Sequence, residues 1–261
     1  MTPDGAPPAR ANVRVAVPRL AEGERSFGAR EARYLVRVHR LRAGDGFAAF
    51  DPERGVEADG EVVEVTAAGL IVRLGSPRPA RLVAAREVTW LQALPKGEKM
   101  DDIVRDATEL GATRIVPATT AFTVVKLEGA RREARRLRWE RIAGEAARQC
   151  GRSDPPVILA VTPWVEALAV ARPPDGAAFC LHERATTPLG ASLQAGAEGP
   201  VPLAFAAGPE GGLSDDEVDA AALHGFEAVT LGPFVLRAET VAAATLGALR
   251  ALEGATSRAL R

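Results

Sequence analysis

The chain has 261 residues, 47% of them hydrophobic and 26% charged, with a formal net charge of -1 at pH 7. This composition fits one large or two small globular domains, and the charge balance excludes a general attraction to nucleic acid while leaving room for a local basic patch. The two cysteines, Cys150 and Cys180, exclude a disulfide framework and lack metal-ligand spacing, so we predict no metal site. Without a signal-peptide core or an apolar run long enough for a bilayer, the sequence predicts a soluble cytoplasmic protein that does not bind membranes.

Short β-strands separated by turns dominate the N-terminal part of the chain. They are predicted at residues 13–17, 61–65 and 70–74. One short helix is predicted at residues 29–38. Closely spaced strands of this kind indicate a small β-barrel. The Gly- and Pro-containing residues 75–79 indicate a linker, so we predict one domain over residues 1–78 and a second over residues 79–261.

The second domain alternates between predicted strands and predicted helices. Strands are predicted at residues 88–93, 115–116, 178–181, 203–207 and 229–231. Helices are predicted at residues 98–110, 131–149, 214–225 and 238–252. The third of these helices begins with a capping box made by Ser214 and Glu217. Repeated βα units predict an α/β fold with a mostly parallel sheet covered on both faces.

Two predicted strands run into loops of similar composition, Gly208-Pro209-Glu210-Gly211-Gly212 and Leu231-Gly232-Pro233. Loops at the carboxyl ends of parallel strands are where open α/β sheets bind ligands, and glycines let a ligand approach the backbone. Neither a dinucleotide-binding nor a P-loop glycine motif is present, and Glu210 would repel a phosphate. Either loop alone could be a simple tight turn, but the pair indicates a slot that suits adenine and a thioether chain.

The helix that follows the second loop opens with Arg237, Glu239 and Thr240. A glutamate in a first helical turn is favoured by the helix dipole, whereas an arginine there opposes it. Arg237 is therefore a candidate for holding an anion or an enolate-like oxygen. The three histidines are scattered, and we interpret His182, which follows the predicted strand at residues 178–181, as structural.

The two glycine loops resemble motifs of the RsmE family, the 16S rRNA uridine N3-methyltransferases of the SPOUT class. The similarity extends through residues 94–100, 107–111, 124–126 and 139–152, and more thinly through residues 33–45. It implies an N-terminal PUA-like β-barrel that helps to grip RNA and a C-terminal SPOUT α/β domain threaded into a trefoil knot. It also implies S-adenosylmethionine as cofactor, a homodimer, and a decoding-region uridine in the 16S rRNA of the small (30S) ribosomal subunit as substrate.

The resemblance also implies roles for individual residues. Cofactor contacts are expected from Leu181, Gly208, Gly211, Gly212, Leu231, Gly232, Leu236, Ala238 and Thr240. RNA contacts are expected from Arg14, Arg40, Lys96, Lys126 and Arg152. Arg237 is expected to stabilise charge on the uracil oxygens while Glu239 accepts the N3 proton. The arginines of the helix at residues 131–149 are a further candidate phosphate surface, or else a solvated helix face.

Four positions depart from the family pattern. Phe122 stands where an arginine is usual, Arg33 replaces a common histidine, and Ala238 and Val241 are small changes in the cofactor loop. Two alternative functions remain open from the sequence. One is a SPOUT RNA methyltransferase acting on a ribose 2′-hydroxyl or another base, and the other is a non-catalytic RNA-binding protein on the same scaffold.

Overall fold

A computed structural model describes residues 13–124, 129–195 and 201–259 of the chain. Their contacts divide into two compact units. The first contains the described residues up to Val83 together with Ala147–Pro155, and the second contains Ala84–Ala146 and the described residues from Pro156 onward. The predicted boundary between residues 78 and 79 stays a prediction. No sequence pattern indicated that residues 147–155 would rejoin the first unit.

The first unit is built on a six-stranded sheet. Its strands are β1 (Arg14–Ala16), β2 (Gly23–Phe27), β3 (Gly46–Asp51), β4 (Val56–Val65), β5 (Leu70–Leu74) and β6 (Arg78–Pro79). The order is β1-β3-β4-β5-β2 with β6 on β4, and only the β1–β3 pair is parallel. The predicted helix is present as α1 (Ala29–Ala32), which continues as a π-helix over Arg33–Val38.

The second unit is an α/β fold, as predicted. Its strands are β7 (Val88–Ala93), β8 (Arg114–Thr119), β9 (Val157–Ile158), β10 (Thr162–Pro163), β11 (Ala177–Leu181), β12 (Leu203–Ala207) and β13 (Glu227–Val229). Its helices are α2 (Lys99–Glu109), α3 (Ala130–Cys150, up to Ala146), α4 (Trp164–Ala171), α5 (Leu189–Ala195), α6 (Asp215–Leu223) and α7 (Ala238–Ala259). All strand pairs are parallel, in the order β10-β8-β7-β12-β11-β13 with β9 on β8.

Helices cover both faces of the parallel sheet. All six residues of β7 are buried, and its apolar side chains are divided between two hydrophobic clusters. Trp90 lies in the cluster that contains Ile103 of α2 and Leu246 of α7, whereas Leu91 lies in the cluster that contains Leu168 of α4. A strand buried on both faces has no polar alternation, which is why β7 is continuously apolar or uncharged in sequence.

Near the glycine loops, local sequence predicts the start of α6 correctly but not the end of the last strand. The capping box of α6 is present: Ser214 accepts from the Glu217 N–H, and the Glu217 carboxylate accepts from the Ser214 N–H. The last strand, predicted at residues 229–231, is instead β13 and ends at Val229. Thr230 makes its backbone hydrogen bonds with Thr187 and Leu189 instead of continuing the strand.

In the part of the chain that the structure describes, no helix has the length and apolar character needed to cross a membrane.

Candidate functional site

A cavity of about 440 Å³ lies at the carboxyl ends of β11, β12 and β13. These strands are neighbours in a parallel sheet, so the loops that leave them reach the same edge. The volume is within the range of small-molecule sites, roughly 300–1,000 Å³. The predicted cofactor residues that line it are Leu181, Gly208, Gly211, Gly212, Leu231, Gly232, Leu236 and Ala238. Thr240 is outside this lining, and its N–H donates to the Arg237 carbonyl in the first turn of α7.

The first glycine loop, residues 208–212, is tightly folded and anchored. The Gly208 carbonyl accepts from the side-chain amide of Gln92 at 3.1 Å, and the Gly212 N–H donates to the Pro209 carbonyl at 2.9 Å. Gly212 has a φ of +75°, which favours glycine. A Cβ on Gly208 would lie 3.0 Å from the carbonyl carbon of Gly212, so the turn leaves little room for a side chain.

Glu210 is held inside this anchored loop. Its carboxylate accepts hydrogen bonds from the Lys96 N–H at 3.1 Å and lies 2.9 Å from the Lys99 ammonium. Burial raises the pKa of the Glu210 carboxyl, but the hydrogen bonds from Lys99 and from the backbone outweigh it and leave that pKa below its usual range. The charge that we expected to face a ligand is therefore directed at Lys96 and Lys99.

Lys99 links the two carboxylates at this edge of the cavity. Its ammonium lies 2.9 Å from Glu210 Oε1 and 3.5 Å from Glu239 Oε2. The hydrogen bond to Glu210, together with the charges of both carboxylates, raises the pKa of Lys99. Glu239 Oε2 is buried and makes no hydrogen bond. From the sequence, Lys99 is a second candidate for RNA binding within a segment that resembles the family, and the structure puts it in the cavity wall.

The second glycine loop, residues 231–236, is more exposed. Gly232 has a φ of +127°, and its only hydrogen bonds are with the hydroxyl of Thr230. The side chains of Phe234 and Val235 are 81% and 84% exposed although both line the cavity. Within the described part of the chain, this loop receives no hydrogen bond from a distant element.

Arg237 follows the second loop and lines the cavity. It is exposed, and its guanidinium has no hydrogen-bond or ion-pair partner among the described residues. Glu239, two residues on, has its Oε2 3.5 Å from the Lys99 ammonium and forms no ion pair with Arg237. The guanidinium is therefore available to an anionic group placed at the cavity edge.

His182 and Glu183 line the cavity, although neither is among the site residues expected from the sequence. The His182 side chain is 9% exposed, and its Nε2 is buried without a hydrogen-bond partner. We had interpreted His182 as structural. The signal that could have identified it is its position directly after Leu181, where a parallel strand ends beside the first glycine loop.

Cys180, at the end of β11, is not a candidate nucleophile. Burial, with a contribution from the charge of Glu183, raises the pKa of this thiol to about 12. The thiol therefore stays protonated at neutral pH, and the reactive form of cysteine is the thiolate.

The predicted RNA contacts differ in availability. Arg14 is buried, where its guanidinium contacts Glu57 at 3.2 Å and the Ser153 hydroxyl at 2.7 Å. Arg152 is also buried and is paired with Asp154. Because both guanidinium groups are already paired within the first unit, the pairing of Arg14 and Arg152 does not favour the RNA contacts that we expect from them. Lys96 and Arg40 are exposed, and Lys126 lies outside the described residues.

Three arginines of α3 are engaged in ion pairs. Arg136 pairs with Glu133 and Glu140, Arg138 pairs with Asp101 and Glu98, and Arg141 pairs with Glu145. Neutralised in this way, they favour the solvated-face interpretation of this helix over a phosphate-binding surface.

Comparison with known proteins identifies both parts of the sequence. Residues 83–250 match the RNA methyltransferase domain family, and residues 27–74 match the RNA methyltransferase PUA domain family. The chain is 35% identical over 240 residues to Ribosomal RNA small subunit methyltransferase E of Synechocystis, covering 91% of this chain and 76% of that protein. It is 34% identical over 241 residues to the protein of the same name in Mycobacterium bovis, covering 89% and 86% of the two chains.

Two similar solved structures bear on the cavity. One is a Ribosomal RNA small subunit methyltransferase E from Neisseria gonorrhoeae bound to S-adenosylmethionine, with a TM-score of 0.82, 26% identity, and coverage of 92% of this chain and 97% of that one. The other is a methyltransferase from Legionella pneumophila in complex with the same cofactor, with a TM-score of 0.81, 26% identity, and coverage of 92% and 98%.

Proposed function

Because this chain belongs to the ribosomal RNA small subunit methyltransferase E family, we propose that it methylates N3 of a decoding-region uridine in 16S rRNA, using S-adenosylmethionine. The observation that carries the proposal is the cavity between two glycine loops with an unpaired arginine at its edge, inside the region that matches the RNA methyltransferase domain. A non-catalytic role would leave that arrangement of Arg237, Lys99 and Glu239 without a use.

The residues of the cavity fit S-adenosylmethionine. Leu181, Leu231 and Leu236 provide apolar contacts for an adenine ring, and the glycines leave backbone groups within reach of a ligand. The buried Nε2 of His182 provides a polar group that has no hydrogen-bond partner among the described residues. When bound, this cofactor supplies an activated methyl group on a sulfonium.

Arg237 is the residue that we propose stabilises the reacting uracil. N3 of uridine carries a proton, and its removal leaves negative charge that spreads to O2 and O4. A guanidinium presents several N–H donors in a fixed plane and stays charged, so it can donate to such an oxygen as the charge develops. Among the described residues the guanidinium has no ion-pair partner, so no ion pair has to break first.

Glu239 is the proposed acceptor of the N3 proton. Its Oε2 is buried, makes no hydrogen bond, and lies 3.5 Å from the Lys99 ammonium. Lys99 would hold this carboxylate in place through charge attraction while remaining bonded to Glu210 on its other side. Orientation of the base relative to the substrate contributes a large part of such rate enhancements.

The remaining family properties are also part of the proposal. They are a PUA-like barrel in the first domain, a trefoil knot in the second, a homodimer, and a cytoplasmic protein acting on the 30S subunit. The exposed apolar side chains of Phe234 and Val235 support a protein contact beside the cavity. The exposed charges of Lys96 and Arg40 support RNA binding.

The decisive experiment is mass spectrometry of nucleosides from 16S rRNA of a strain that lacks this gene. We expect 3-methyluridine to disappear and to return when the wild-type gene is restored. Persistence of 3-methyluridine would refute the proposal, whereas loss of a 2′-O-methylated nucleoside or of another methylated base would identify a different SPOUT activity. Calorimetry with S-adenosylmethionine separates these outcomes from the non-catalytic alternative, which predicts no binding.

A further inference from the structure

We propose that His182 binds the adenosyl half of S-adenosylmethionine, with its Nε2 hydrogen-bonded to a neutral hydroxyl or ring nitrogen of that half. The inference rests on the proposed function and adds a specific recognition residue to it. It concerns a side chain that we interpret from the sequence alone as structural.

The position of His182 is fixed by the sheet. β11 lies between β12 and β13, the two strands whose following loops form the cavity. The His182 N–H donates to the Val229 carbonyl of β13 at 2.9 Å, and the His182 carbonyl accepts from the Ala185 N–H at 3.2 Å. With both backbone groups bonded, the imidazole is carried by rigid structure at the place where the two loops meet.

The imidazole itself lacks a partner. Its Nε2 is buried without a hydrogen bond, and the nearest carboxylate oxygen, Glu183 Oε2, is 4.0 Å away and so beyond hydrogen-bonding distance. Buried polar atoms in folded proteins are nearly always hydrogen-bonded, and exceptions call for an explanation. His224 shows the ordinary case in the same unit, because its Nδ1 lies 2.8 Å from the Ala220 carbonyl. A ligand group in the cavity would give His182 an equivalent partner.

The choice of the adenosyl half follows from where the charges of the cavity lie. The cofactor carries its carboxylate, ammonium and sulfonium in the methionine half, and these need charged or solvated surroundings. Of the charged cavity residues, Lys99, Glu183 and Arg237 retain substantial exposure, and the less exposed Glu210 is paired with Lys99. The His182 side chain, beside Leu181, is 9% exposed with a buried Nε2, and an imidazole nitrogen can donate to or accept from a neutral hydroxyl or ring nitrogen.

The test compares two ligands by calorimetry: S-adenosylmethionine and 5′-methylthioadenosine, which retains the adenosyl half without the amino acid. His182→Phe keeps a flat ring but cannot form the hydrogen bond. We expect it to lower the affinity for both ligands by a similar factor of about 10. His182→Gln, which restores a polar group near the Nε2 position, should recover part of the affinity for both. The matched control His224→Phe should leave both affinities within about twofold.

A second measurement uses the wild-type protein and is independent of how the variants fold. With ¹⁵N-labelled histidine there are only three imidazoles to follow. Addition of 5′-methylthioadenosine should shift the Nε2 resonance of His182 and leave His39 and His224 unchanged. An unchanged His182 resonance would overturn the inference.

The calorimetric outcomes are also distinct. If His182→Phe weakens S-adenosylmethionine but not 5′-methylthioadenosine, the contact is to the methionine half and the assignment is wrong. If His182→Phe lowers the affinity for neither ligand, His182 is a packing residue and the assignment is also wrong. Failure of the wild-type protein to bind S-adenosylmethionine would overturn the proposed function itself, which separates the two failures.

Discussion

The two glycine loops of the cavity have similar sequences but are held very differently. The first, residues 208–212, is anchored by Gln92 and, through Glu210, by the Lys96 N–H and the Lys99 ammonium. The second, residues 231–236, is exposed over most of its length and is hydrogen-bonded only to its neighbour Thr230 within the described residues.

This difference indicates a division of labour. A wall that is already anchored loses little freedom when a ligand binds, whereas a loosely held loop loses freedom but can close around the ligand. We infer that the first loop sets the shape of the cofactor site and that the second, which leads into Arg237, adjusts to cofactor and substrate. Each prediction below tests one side of this contrast.

The largest expected effect is on catalysis, at the end of the second loop. Arg237→Ala should lower kcat by about 100- to 1,000-fold while the Kd for S-adenosylmethionine changes by less than about threefold, because the proposed contact is to charge that develops during the reaction. Single-turnover methylation assays and calorimetry measure the two quantities. Arg237→Lys is the control and should retain an intermediate rate. Near-normal turnover of Arg237→Ala would remove Arg237 from the mechanism.

The next contrast compares one glycine from each loop. A Cβ on Gly208 would meet the Gly212 carbonyl carbon at 3.0 Å, so Gly208→Ala should weaken S-adenosylmethionine binding by about tenfold, equivalent to ~1.4 kcal/mol. No described atom lies within 4 Å of a Cβ on Gly232, so the cost of alanine there is the strain of a φ of +127°, which we expect a loop without hydrogen bonds to distant described elements to relieve in part. Gly232→Ala should therefore weaken S-adenosylmethionine binding by only about threefold. Equal losses in calorimetry would contradict the proposed difference in rigidity.

Hydrogen exchange should report the same difference in the unmodified protein. On addition of S-adenosylmethionine, amides in residues 231–237 should exchange about tenfold more slowly, because a loose loop becomes ordered. Amides in residues 208–213 should change by less than about threefold, since this segment is anchored beforehand. Stronger protection of the first loop than of the second would reverse our assignment.

The smallest expected effect concerns the anchor of the first loop. The pKa of Glu210 is lowered in the folded protein, so its ionised form stabilises the fold above the unfolded pKa, about 4.3, and this contribution is lost as the pH falls through the lower folded pKa. Glu210→Gln should lower Tm at pH 7 by about 1–3 °C. In thermal denaturation, the difference from wild type should shrink as the pH falls below the unfolded pKa and vanish once it is below the folded pKa of Glu210. A constant difference across pH would argue against the ion pair.

Much of the second unit could be predicted from local sequence. β7 is present over the predicted residues because a strand buried on both faces is continuously apolar or uncharged. The family resemblance is confirmed by the match over residues 83–250. By contrast, α4 was not predicted: its buried residues at 164, 167, 168 and 171 follow a helical stripe, but over eight residues that pattern is hard to distinguish from a buried strand.

The candidate site likewise has features that the sequence predicts and features that it does not. The residues expected to bind the cofactor cluster because they follow the ends of parallel strands, a relation that the sequence already contains. The contacts of charged side chains do not follow from local sequence. Arg14 meets Ser153 across 139 positions, and Glu210 meets Lys96 across 114, so burial and pairing of such residues emerge only from the fold.

The return of Ala147–Pro155 to the first unit has a consequence for how this protein can be divided or recombined. A fragment that stops at residue 78 carries the buried Arg14 and Glu57 but lacks the Ser153 hydroxyl that accepts from the same guanidinium. An exchange of N-terminal segments between relatives would leave that guanidinium facing a foreign partner unless residues 147–155 are exchanged with it. The first unit is therefore a module of two gene segments, and natural or laboratory chimeras have to inherit both together.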